Sequence, residues 1–242
     1  MREIILVIIV SVLFGCAAIA QEAGFAGNLQ LVYPQGEYKE SLDRLGYGLN
    51  FNGYYRTESS PMGFGFDINF MNFGVDSREE PISSNIPDVR VEVTNSYNLF
   101  QFLLLGKLQP VDGALRPYAE GLAGVNYFYT STTINERNNS SSDPIASDTN
   151  FKDFAFGYGG GAGTMIRVFD KSGRPPKYNE EGSEMVSPKA GYINLGVRYL
   201  FGSEAEYLRE GSIQVNNGSV TYDTFRSRTN MMIIQLGFVI RY

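Results

Sequence analysis

The strongest constraint on this chain is a period of two. From residue 25 to the last residue, bulky apolar side chains recur at alternate positions, and Gly, Asn, Gln, Asp or a cation fills many of the positions between them. Such alternation is the mark of a strand with two unlike faces. Eight runs show it. The first sets Phe25, Gly27, Leu29, Leu31 and Tyr33 against Asn28 and Gln30. The second sets Leu45, Tyr47, Leu49, Phe51 and Tyr55 against Gly46, Gly48, Asn50, Asn52 and Arg56. The third sets Phe64, Phe66, Ile68 and Phe70 against Gly65, Asp67 and Asn69. In the fourth, Phe100, Phe102 and Leu104 oppose Gln101 and Lys107, with Leu103 and Leu105 on the polar side. The fifth places Ala119 to Tyr129 against Glu120, Leu122, Asn126 and Phe128. The sixth sets Phe154, Phe156, Tyr158, Ala162, Ile166 and Val168 against four glycines and Arg167. The seventh sets Ile193, Leu195, Val197, Tyr199 and Phe201 against Asn194, Gly196 and Arg198. The eighth sets Met232, Ile234, Leu236, Phe238, Ile240 and Tyr242 against Gln235, Gly237 and Arg241.

An even number of runs, each long enough for the roughly 9–11 residues of a tilted spanning strand, suits a closed antiparallel barrel with no unpaired edge. The apolar faces are too bulky for an eight-stranded interior, which side chains only just fill. They are therefore expected to face lipid, with glycines and the polar groups Arg56, Asp67, Lys107, Glu120, Arg167, Arg198, Arg241 and Gln235 facing the lumen. Buried charges of this kind must pair and hydrogen-bond. Five cations against two anions also leave open a narrow anion-preferring conduit. After residue 21 no apolar stretch approaches 18 residues, so no helix is expected to span.

Connections support an up-and-down order. Those near 34–44, 75–90, 131–152 and 203–228 are expected to be long and on one side, and those at Glu58–Met62 and Pro110–Arg116 short and on the other. Within 203–228, Asn216-Asn217-Gly218 between β-rich triplets predicts a hairpin standing above the membrane. The sixth connection, Asp170–Lys189, is longer than the pattern asks. It reads as an excursion or as an error in the strand count.

Residues 1–20 read as a signal peptide. Arg2 precedes an apolar core from Ile4 to Phe14, too short to span, and Ala18-Ile19-Ala20 offers a small-x-small cleavage site before Gln21. Lipid attachment at Cys16 is the alternative processing. Removal of 20 residues leaves 242 − 20 = 222, and Arg2 cancels Glu3, so the net charge stays at −6.

Several chemistries are excluded. The absence of histidine removes histidine-based nucleophilic catalysis, histidine-ligated metals and a histidine pH switch. One cysteine permits no internal disulfide. A net charge of −6 argues against nucleic acid as partner. Gly157 to Ala162 matches a dinucleotide fingerprint in form, yet alternation continues through Ile166 and Val168, leaving no helix to receive a phosphate. Glu204, Glu206, Glu210, Asp143 and Asp148 lack calcium-loop spacing and read as solvated charge. No enzyme activity, cofactor or metal is expected.

Three segments carry a resemblance. They are Arg116-Pro117-Tyr118-Ala119-Glu120-Gly121-Leu122-Ala123-Gly124, the glycine-rich Gly157–Gly163, and the ending Gln235-Leu236-Gly237-Phe238-Val239-Ile240-Arg241-Tyr242. In that order, after a signal peptide, they resemble the small outer-membrane β-barrel family that includes the OmpA and OmpX barrels. The resemblance implies an eight-stranded transmembrane barrel over 21–242 in a bacterial outer membrane, in contact with outer-membrane lipid. It also implies insertion by the barrel assembly machinery, with Phe238 and Tyr242 in the insertion signal. The expected role is non-enzymatic, structural or surface-interacting, with the long outer connections meeting an extracellular ligand or surface partner. A small porin-like pore and a soluble lipocalin-like barrel are the alternatives.

Overall fold

The computed structural model describes residues 22–42, 44–57, 60–83, 86–136, 146–173, 177–178, 184–185, 187–216 and 219–242. The expected signal peptide and both processing sites lie outside these residues. Eight strands form one closed barrel: β1 (Glu22–Pro34), β2 (Gly46–Arg56), β3 (Met62–Ser83), β4 (Ile86–Leu108), β5 (Leu115–Glu136), β6 (Ala146–Asp170), β9 (Ala190–Gly202) and β12 (Met231–Arg241). Every neighbour is antiparallel, and the ring closes where β1 pairs with β12. These are the eight runs of alternation, and the strand count stands. Between them lie a one-turn helix α1 (Glu37–Ser41), a minimal pair β7 (Lys177–Tyr178) and β8 (Glu184–Met185), and a separate hairpin β10 (Glu204–Asn216) and β11 (Ser219–Arg228).

The faces follow the alternation. Leu29, Phe64, Leu104 and Phe154 are all more than 60% exposed on the outer wall, and Phe156, Leu195 and Phe238 join them outside. Asn50, Asp67, Asn69, Gln101, Asn126, Asn194 and Arg198 are buried in the lumen. Glycine makes room for the larger lumen side chains. A Cβ at Gly196 would lie 2.4 Å from the Tyr118 hydroxyl, and one at Gly163 2.5 Å from it, so the tyrosine lies flat against a bare wall. The strand β6 runs unbroken through the glycine cluster to Asp170, so no phosphate-binding helix follows it.

Four features differ from expectation. The stretches 75–90 and 131–152 are not polar loops for most of their length. Strands β3 and β4 stay paired up to Ser83 and Ile86, and β5 with β6 up to Ile134 and Ala146. Valine, threonine and isoleucine keep the backbone extended there, although both faces carry polar residues. β2 leaves β3 at Asn72, so β3–β6 stand as a tall wall above a short one. Second, the first connection holds α1. Third, the hairpin after β9 has 13-residue and 10-residue arms, longer than its central triplets suggest. Fourth, the lumen is apolar over much of its height. The excursion between β6 and β9 is tied at its base, where Lys171 N–H donates to Lys189 O and Lys189 N–H to Arg241 O.

Candidate functional site

The lumen is filled in three levels. The middle level centres on Arg198. Its Nε donates to Glu120 Oε1 at 2.6 Å, and its two terminal nitrogens donate to the two Asp67 oxygens at 3.1 and 2.8 Å. Strands β9 and β3 lie four places apart in either direction round the ring, so this bidentate pair crosses the full lumen. All three side chains are inaccessible to solvent or nearly so. Fork-to-carboxylate geometry is the strong form of such a bond and fixes direction as well as distance.

An amide chain completes the level. Asn194 donates to Asn28, Asn28 to Asn50, Asn50 to Asn69 and Asn69 to Asp67, at 2.6–2.9 Å. The path leaves β9, passes through β1, β2 and β3, and returns to β9 through Arg198. Gln30 and Asn52 also donate into it. On the other side Gln101 donates to Asn126 at 2.9 Å, and Gln235 to the Tyr118 hydroxyl at 3.2 Å. Among the described residues the Lys107 ammonium makes no salt bridge within 4 Å. It sits 3.9 Å from the centre of the Tyr118 ring and 5.3 Å from that of Tyr54, as a cation held by aromatic faces.

The floor, at the end of the barrel that carries both ends of the sheet, gathers arginines round one carboxylate. Glu22 accepts a short hydrogen bond from Arg56 and lies 3.3 Å from Arg241 and 3.7 Å from Arg116. Arg116 is also held by two bonds to the Pro110 carbonyl, at 2.7 and 3.0 Å, and Arg56 by one to the Val111 carbonyl at 2.9 Å. The turns between strands thus supply acceptors that one carboxylate cannot.

The third level, at the opposite end, is apolar. Val32, Met71, Phe73, Leu99, Leu200, Met231 and Ile233 face inward there and are buried. Helix α1 closes the mouth. Tyr38 in the helix and Leu42 just after it are buried, while Glu37, Lys39 and Glu40 are exposed. The Tyr38 ring meets Phe73, Phe128 and Tyr207 edge-on at 5.6, 6.1 and 5.3 Å between centroids. The space left among them is about 20 Å³, room for one water. Burial first, and the neighbouring Tyr207 second, push the Tyr38 phenol well above its ordinary range, so it stays neutral. The Glu37 carboxylate accepts from the Arg228 N–H, tying α1 to the hairpin.

Of the expected lumen groups, Arg56, Asp67, Lys107, Glu120, Arg198 and Gln235 are buried inside, and Arg241 is at the floor. Arg167 is not in the network. It keeps its register opposite the inward Tyr192, just before a bulge, but lies so near the end of β6 that its side chain reaches the rim, partly exposed, paired with Asp170 at 2.6 Å and 3.6 Å from Asp112. Sequence reasoning missed Glu22 and Arg116. Each sits at a strand end, where alternation has too few neighbours to set a face. The middle level holds two cations, Lys107 and Arg198, against Asp67 and Glu120, and Glu22 and Arg116 belong to the floor. The supposed cation excess is confined to the floor. Phe238 lies on the outer wall against Phe169, and Tyr242 packs edge-on to Phe25 at 6.1 Å.

No family model matches the sequence, and no curated relative matches it. Several solved structures are similar in trace. Neisserial surface protein A (NspA) matches with a TM-score of 0.41 and 11% identity, over 91% of this chain and 94% of that one. The N-terminal β-barrel domain of Pseudomonas aeruginosa OprF matches at 0.34 and 9%, over 90% and 97%. A major outer membrane protein from Thermus thermophilus matches at 0.36 and 10%, over 91% and 99%.

Proposed function

We propose that this chain is a closed transmembrane barrel of a bacterial outer membrane, with a non-catalytic role carried by the tall wall and the hairpin at its loop end. One observation carries the reading: a continuous belt of exposed large apolar side chains surrounds a lumen spanned by paired charges. In water that belt would be a severe liability, since soluble monomers rarely expose apolar patches beyond a few hundred Å². In lipid it is the required surface, and closure leaves no backbone edge unsatisfied. A soluble ligand-binding barrel would need the opposite facing. The strands β2 and β12, at 11 residues each, match the length of a tilted spanning strand.

The same reading places both ends of the sheet in the periplasm and the hairpin, α1 and the tall wall outside. Phe238 and Tyr242 then serve the barrel assembly machinery during insertion, and the outer wall meets outer-membrane lipid afterwards. The exposed tall wall, whose connections are the natural place for variable contacts, meets the extracellular partner. With no histidine in the sequence, catalysis that depends on a histidine base is closed to this chain. The filled lumen supports display over conduction. Planar-bilayer recording of the refolded protein tests this. Silence is the expected result; steady unit currents would replace the display role with a small pore. Protease treatment of intact cells should cut within 203–228 and spare 170–189, and the reverse pattern would invert the orientation.

A further inference from the structure

The outer wall carries one row that breaks its own rule. Register partners across six strands read Ile234, Leu31, Tyr47, Asn72, Asn98 and Tyr129. The row two residues nearer the floor reads Leu236, Leu29, Leu49, Phe70, Phe100 and Tyr127, with no amide in it. Two asparagines therefore face outward at the upper edge of the belt, and they are built into place. Asn72 Nδ2 donates to Asn98 Oδ1 at 2.9 Å, and Asn98 Nδ2 to the Ser96 carbonyl at 3.1 Å. Asn72 Oδ1 accepts the Gly74 N–H at 2.9 Å, across a bulge where Gly74 takes φ of 119°. Each amide nitrogen has a second proton not used in these bonds. Arg44 lies alongside: a Cβ at Gly74 would be 3.0 Å from its Nη1. Below the pair opens a groove of about 630 Å³, floored by Gly48 and walled by Leu29, Leu31, Leu49, Phe70 and Leu236.

We propose that this groove seats one anionic lipid with a phosphate-bearing head, its acyl chain along the leucines and its phosphate at the Asn72–Asn98 amides and Arg44. Apolar walls beneath a cation and two N–H donors match an amphiphile with a negative head, and they match it in the orientation that a lipid takes beside the belt. The inference rests on the membrane reading above, and the test separates the two.

The chain has no tryptophan, so a single introduced one reports without background. Tyr47→Trp places the reporter at the groove, and Tyr158→Trp places it on β6, opposite β2 across the ring. Each variant is reconstituted in phosphatidylcholine vesicles containing increasing fractions of phosphatidylglycerol or phosphatidylcholine with brominated acyl chains. At Tyr47→Trp, brominated phosphatidylglycerol should reach half-quenching at a mole fraction at least threefold lower than brominated phosphatidylcholine. At Tyr158→Trp the two should be equal. Adding Arg44→Gln, or separately Asn98→Leu, to Tyr47→Trp should remove the preference. Equal quenching by both lipids at both reporters would overturn the groove while leaving the membrane barrel intact. A preference surviving both added substitutions would overturn the head assignment. No quenching at either reporter would overturn the membrane reading and the groove with it.

Discussion

The two ends of the lumen are filled by different physics. Toward the floor, charged and amide groups occupy the space, and many pair across particular strands: Arg198 with Asp67 and Glu120, Asn28 with Asn50, Arg56 with Glu22. Toward the loops, Met, Leu, Ile and aromatic side chains fill it, and α1 with the residue just after it adds Tyr38 and Leu42 as a stopper. A polar filling is directional. It is satisfied in one register only, because a one-residue slip would turn Asp67 or Arg198 into the outer belt. An apolar filling depends on volume and tolerates exchange of shape. The contrast assigns register to the polar half and closure of the mouth to the apolar half.

The largest expected effect comes from breaking the polar half. Arg198→Ala leaves two carboxylates buried without their cation, which should cost about 3–5 kcal/mol in reversible urea unfolding of the refolded barrel. Replacing Arg198, Asp67 and Glu120 together with Met, Leu and Leu should recover most of that loss. If the triple variant is no more stable than the single one, shape and not charge pairing holds this level. In the apolar half, Tyr38→Ala removes an aromatic stopper, at about 3 kcal/mol. That loss should stay local: hydrogen exchange should quicken in α1 and the β10–β11 hairpin and remain slow in β1, β9 and β12. Quickening of β1 and β12 as well would show that the two halves are one cooperative unit. The smallest effect tests the bare wall beside Tyr118. Gly196→Ala should cost about 1–3 kcal/mol by overpacking, and Tyr118→Phe in the same chain should return part of it. No loss on Gly196→Ala would mean that Tyr118 is free to move.

Much of this architecture is written in local alternation. The eight strands and the outward facing of Phe64, Phe156, Leu195 and Phe238 need only near neighbours in sequence, because a strand's two faces alternate whatever lies across from them. Even Leu103 and Leu105, apolar residues on a polar face, are placed correctly by parity. What parity cannot supply is depth along the barrel. Met71, Leu99 and Ile233 lie on the same side as Asn69, Gln101 and Gln235, and only the third dimension gathers them into an apolar level. Helix α1, at five residues, is shorter than two turns and leaves no period to read. Arg167 has the right parity, opposite the inward Tyr192, but parity does not show that it lies near the strand end, where its side chain reaches Asp170 at the rim. Glu22 and Arg116 owe their places to the turns and neighbouring strand ends that receive them. The long arms β3–β6 were hidden by composition, since polar residues on both faces look like loop until their pairing is seen.

The central claim is that lipid-facing and lumen-facing residues alternate along each wall, and β9 offers the cleanest test. Single spin labels placed in turn from Tyr192 to Leu200, in the protein reconstituted in bilayers, should show high oxygen accessibility at 193, 195, 197 and 199. Positions 192, 194, 196, 198 and 200 should be shielded from both oxygen and a water-soluble relaxation agent. Equal accessibility along the strand, or high access of the water-soluble agent at 193, 195, 197 and 199, would contradict the account.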